Sequence, residues 1–97
     1  MKRLTVRGPA RRDLAEARAW YRNHGQHAAN QFADRIDEAF DAICRSPSIY
    51  AAVFQDIRVF LLRGFPYAVY YRDEPNRVRV IAVMHTSRDP DTWQSRA

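Results

Sequence analysis

The stretch Phe65–Trp93, FPYAVYYRDEPNRVRVIAVMHTSRDPDTW, decides the fold. Tyr67–Arg72 and Arg77–Met84 are rich in Val, Ile and Tyr, residue types that suit a pleated, half-buried surface. Asp73-Glu74-Pro75-Asn76 between them is turn chemistry, and so short a connection joins antiparallel neighbours. Two further extended runs, Tyr50–Phe54 and Arg58–Leu62, lie upstream, punctuated by Gln55-Asp56 and by Gly64-Phe65-Pro66. Together they predict an antiparallel meander. After it, Asp89-Pro90 opens a helical turn that carries Trp93.

Before the meander the period changes from two to nearly four. Arg3–Arg7 alternates, with Leu4 and Val6 on one face, and predicts a short N-terminal strand. Gly8-Pro9 starts a helix whose Ala10, Leu14, Ala17 and Tyr21 form one apolar line, with Asp13 and Glu16 in its early turns. Asn23-His24-Gly25 ends it, because Gly takes backbone angles closed to other residues. Phe32, Ile36, Ala39, Phe40 and Ile43 mark a second helix, with an Asp41/Arg45 pair expected near its end and Ser46-Pro47 stopping it. A helical hairpin so patterned needs a sheet to cover. The expected class is α+β: an N-terminal strand, a helical hairpin on a twisted antiparallel sheet, and a short C-terminal helical turn. Residues 1–97 form one domain, with no repeat or linker.

Composition narrows the chemistry. The 97 residues are 46% hydrophobic, enough for one modest core, and no run is long or apolar enough to span a bilayer. The N-terminus MKRLTVRGPARRDL has no apolar segment of the secretory kind, and Cys44 is the single cysteine. A reduced, cytoplasmic setting is expected. Net charge is +5, with Lys2 the only cation that is not arginine. Gln26–Cys44 carries a net −3 and Arg58–Arg88 a net +4, which suggests either an acidic or polyanionic partner for the basic half or a plain solvated arginine surface. Gly8, Gly25 and Gly64 lie too far apart for a phosphate loop, and no serine sits in a nucleophile elbow. His24 and His27 lack a third ligand, so neither metal nor cofactor is expected.

The last strand raises a question about partners. Strict alternation puts Val78, Val80, Ala82 and Met84 under the helices, and Ile81 and Val83 on the opposite face beside Arg77, Arg79 and His85. Apolar residues on that open face imply either a docking partner or a C-terminal turn that folds Trp93 back over them. Metal-free RNA cleavage needs a base, an acid and cations around the phosphate. His85 with Arg58, Arg63 or Arg79 supplies such a set, although a lone histidine closing an apolar strand more commonly serves structure.

The order of these elements resembles the RelE/ParE superfamily of bacterial toxins over nearly the whole chain. The residues that carry the likeness are Ala10–Leu14 (ARRDL), Tyr21, Ser46-Pro47, Ile57-Arg58, Phe65-Pro66-Tyr67, Val69-Tyr70-Tyr71-Arg72, His85, Arg88-Asp89-Pro90, Trp93 and Arg96. The resemblance implies the toxin half of a type II toxin–antitoxin pair, silenced by a cognate antitoxin through which alone it would meet DNA. Antitoxin tails in this superfamily are often acidic and fold on binding. RelE-like members are ribosome-dependent mRNA endonucleases, and ParE-like members poison DNA gyrase without known enzymatic activity. Tyr67 stands where RelE-like enzymes usually carry a catalytic arginine, active-surface lysines are missing, and Trp93 is the only aromatic after His85. These departures favour gyrase over ribosome and mRNA as the target. The resemblance and the residues then make Tyr67, Arg77, Arg88 and Trp93 the expected target contacts, and Ile81 and Val83 the antitoxin-facing pair.

Overall fold

A computed structural model describes residues 1–97. Strand β1 (Arg3–Val6) leads into helix α1 (Gly8–Asn23) and helix α2 (Gln26–Arg45). Strands β2 (Ala52–Phe54), β3 (Ile57–Leu61), β4 (Tyr67–Asp73) and β5 (Arg77–His85) follow, and the short helix α3 (Asp91–Gln94) closes the chain. The sheet order is β1-β5-β4-β3-β2. The meander β2–β5 is antiparallel throughout, as its short turns require. β1 inserts parallel beside β5, so the sheet as a whole is mixed. That pairing joins residues more than 70 positions apart, and no local turn signals it.

The two helices form where their spacing predicts. Ala10, Leu14, Ala17 and Tyr21 of α1 and Phe32, Ile36, Ala39 and Ile43 of α2 are all buried, and they pack on Val69, Tyr71, Val78, Val80 and Val83 of the sheet. Gly25 joins the helices at φ +130°, an angle that a side chain would strain. The Asp41/Arg45 pair does not form. Glu38 instead takes a forked hydrogen bond from Arg63 (3.2 and 3.1 Å) and approaches Arg35, tying α2 to the β3–β4 loop. Tyr71 is fully buried, and its hydroxyl donates to the Pro47 carbonyl at 2.6 Å. Burial pushes that phenol up to about 12.

A bulge in β5 redistributes its side chains. Tyr71 pairs with Val80 and Tyr70 with Ala82, which leaves Ile81 as an extra residue and reverses the alternation beyond it. Val83 therefore faces the helices, while Ala82 and Met84 join Ile81 and Ile57 on the opposite face. Trp93 lies over this second cluster, stacked on Tyr70 with ring centroids 4.2 Å apart. Ile81 is 0% and Val83 1% exposed. Neither is an open, antitoxin-facing residue as alternation had suggested. The chain's own C-terminal turn seals that part of the sheet.

Arg96 and Asp13 lock the seal. Asp13 accepts both terminal nitrogens of Arg96 (2.6 and 3.1 Å) and the backbone N–H of Val83 (3.0 Å). Arg96 also donates to the Ile81 carbonyl, and its own carbonyl accepts from Arg7. β1 stops at Val6, so the edge of β5 beyond Val80 has no strand beside it. These two side chains satisfy the backbone groups left there. Asp13 thus serves the sheet edge rather than the start of its own helix.

Candidate target-binding cleft

Pairing of β4 with β5 sets Tyr67 opposite His85, with ring centroids 5.4 Å apart. α1 passes above this strand end and presents Trp20, 53% exposed, over the same spot. Trp20 lies one position off the buried line of α1, which is why its indole is not consumed by the core. It is braced by His24, whose ring stacks on it at 3.8 Å and whose Nδ1 lies 2.7 Å from the Trp20 carbonyl oxygen. Arg88 borders the recess from the loop after β5 and has no carboxylate partner. The result is a recess of about 200 Å³ that also includes Glu16 and Asp13, continued by one of about 270 Å³ lined by Trp20, Tyr21, Pro66, Tyr67 and His85.

Its electrostatics suit recognition better than proton transfer. Burial raises the Tyr67 phenol, with the Arg88 cation pulling the other way, so the ring stays a neutral hydrogen-bonding group. The Ser87 backbone N–H donates to His85 Nδ1 at 3.0 Å, and the Ser87 hydroxyl lies 2.7 Å from the same atom. An N–H can only donate, so Nδ1 is the acceptor and neutral His85 carries its hydrogen on Nε2. The lone pair a general base would use is already occupied. An aromatic recess beside an unpaired guanidinium is the composition of a protein-binding hot spot.

The four nuclease candidates are not assembled. Arg58 is held by the carbonyls of Ser48 and Tyr50 at the β2 side of the sheet. Arg63 is bound to Glu38, and Arg79 to Glu74 at the start of β5. Arg79 and His85 pair with Arg72 and Tyr67, which are five residues apart on β4, about 17 Å at the rise of a β-strand. Of the expected target contacts, Tyr67 and Arg88 meet in the cleft. Arg77 lies at the far end of β5, and Trp93 is 6% exposed and serves the second core cluster. Trp20 escaped the sequence reading. A tryptophan outside an apolar helical line was its available signal.

The family described as ParE toxin of type II toxin-antitoxin system, parDE, matches residues 4–90. The chain belongs to this ParE toxin family. Toxin ParE2 of Mycobacterium tuberculosis, in strains CDC 1551 / Oshkosh and H37Rv, is 32% identical over 99 residues, covering 97% of this chain and 90% of the relative. A solved structure described as the chromosomal ParDE TA system from P. aeruginosa superposes with a TM-score of 0.75 at 17% identity, over 88% of this chain and 96% of that one. That likeness shows the fold. The protein is thus a ParE-type toxin of a type II toxin–antitoxin system, and the ParE family implies an antitoxin partner. No helix of this ParE chain is long and apolar enough to cross a membrane.

Proposed function

We propose that the protein inhibits growth by binding DNA gyrase without enzymatic chemistry, and that a cognate antitoxin neutralises it. The cleft formed by Trp20, Tyr67, His85 and Arg88 is the surface offered to the target. One observation carries this reading: the groups that would cut RNA are dispersed across the sheet, and the site that does form is an aromatic recess bordered by the unpaired Arg88 and by Glu16. Tyr67 at the position of an expected catalytic arginine supports it. The cytoplasm is the compartment this function requires, with DNA met only through the antitoxin and the gyrase complex. Stabilisation of a plasmid or chromosomal locus is the corresponding role.

The test uses purified protein and gyrase. Supercoiling should be blocked while ribosome-bound mRNA stays intact; cleavage in the ribosomal A site would refute the proposal. Trp20→Ala and Arg88→Ala should each weaken inhibition by roughly thirtyfold, the factor for truncating a hot-spot residue worth about 2 kcal/mol.

A further inference from the structure

The sheet face away from the helices is divided. Beyond the β5 bulge it is apolar and sealed by Trp93. Before the bulge it is cationic and uncovered. Arg3 and Arg77 are register partners across β1 and β5, and Arg79 follows two residues along the same face. With Glu74, Pro75 and Asn76 they line a recess of about 340 Å³ that contains no hydrophobic residue.

Its hydrogen bonding is lopsided. The Nε groups of Arg77 and Arg79 both donate to one oxygen of Glu74, Oε1, at 2.8 and 3.2 Å. Glu74 thereby fixes both guanidinium planes and leaves their terminal nitrogens without a protein partner. Arg3 is exposed and makes no ion pair or side-chain hydrogen bond. Three cations against one carboxylate leave an excess of +2. A hairpin stiffened only for stability would need one arginine against Glu74, not two on one oxygen with an unpaired Arg3 beside them.

We propose that this bay is a docking site for an extended acidic polypeptide. Arg77 and Arg79 lie two residues apart on one strand face, about 7 Å at the strand rise. Carboxylates at alternate positions of an extended chain have the same spacing, and each fits a guanidinium edge through paired N–H···O bonds. Glu74 already shows a carboxylate held between the two arginines. The bay has no aromatic ring on which a base would stack, so single-stranded nucleic acid is the poorer match. The antitoxin is the natural source of such a segment, an identification that rests on the neutralisation proposed above.

The binding test is independent of gyrase and of growth. A fluorescent deca-glutamate peptide is titrated against the full-length protein, with a single-stranded oligonucleotide of equal charge in parallel. Arg77→Ala/Arg79→Ala should weaken peptide binding about tenfold or more, and Glu74→Gln should strengthen it by removing the internal competitor. Arg18→Ala/Arg22→Ala on α1 removes the same net charge elsewhere and should cost less than about threefold. Thermal melts confirm that each variant is folded. Equal losses in the two double variants would overturn the proposal, as would oligonucleotide binding that is tighter than peptide binding and is lost with Arg77 and Arg79.

Discussion

Tyr71 shows how one residue carries both packing and a pH response. Its ring fills the centre of the sheet face under the helices, and its hydroxyl has a single partner in the Pro47 carbonyl. In the unfolded chain this phenol ionises near its ordinary value of about 10, whereas the fold holds it neutral to about 12. The folded state therefore keeps a proton that the unfolded state loses. Stability from this group is complete below pH 10 and drains away as pH rises toward 12. Urea midpoints should fall across that window, and Tyr71→Phe should flatten the fall at a cost of about 1 kcal/mol near neutrality. His85 has a contrasting role. In His85→Asn the amide oxygen can take the place of Nδ1 as acceptor for the Ser87 N–H, so the turn is kept while acid–base chemistry is removed. Growth arrest on induction should persist, weakened at most by the loss of one cleft contact. A folded variant that still binds gyrase but no longer arrests growth would instead point to catalysis.

Among the helices, α3 is the shortest, and it closes the second core cluster. Four helical residues are too few to stand alone, and they are held by Trp93 on Tyr70 and by the clamp between Asp13 and Arg96. Trp93→Ala should cost about 3 kcal/mol in denaturant unfolding and increase binding of a hydrophobic dye, because Ile81, Ala82 and Met84 lose their cover. Asp13→Ala removes the acceptor for both Arg96 and the Val83 N–H. Breaking a fully buried pair costs about 3–5 kcal/mol, but the Arg96 side chain is 23% exposed, so about 2 kcal/mol is expected. Helix boundaries and the meander were legible because the change of hydrophobic period and the turn residues are local. The inward or outward facing of Ala82, Val83 and Met84 was not, because one bulged residue inverts every side chain beyond it.

Across the whole molecule, charge is segregated. Asp34, Asp37 and Asp41 stay unpaired on α2, while Arg3, Arg77, Arg79 and Arg72 share the far face of the sheet. Such a dipolar, net-positive body steers acidic partners toward one side. Association with the antitoxin should slow by about tenfold between 50 and 500 mM salt, with a smaller change in dissociation, as stopped-flow mixing would measure. The aromatic cleft and the arginine bay occupy opposite ends of β5. A partner on one need not displace a partner on the other.

The order of periods, the turn chemistry and the landmarks from Ala10 to Arg96 were enough to determine the helical hairpin, the meander and the toxin superfamily. Each depends on neighbours in the chain. Only the tertiary structure decided that β1 runs parallel to β5, that a bulge sends Val83 inward, that Asp13 reaches Arg96 across the molecule, and that Trp20 rather than Trp93 meets solvent beside Tyr67. Those outcomes depend on contacts that range from the 9 positions between Tyr71 and Val80 to the 83 between Asp13 and Arg96, where burial and hydrogen-bond satisfaction override local periodicity.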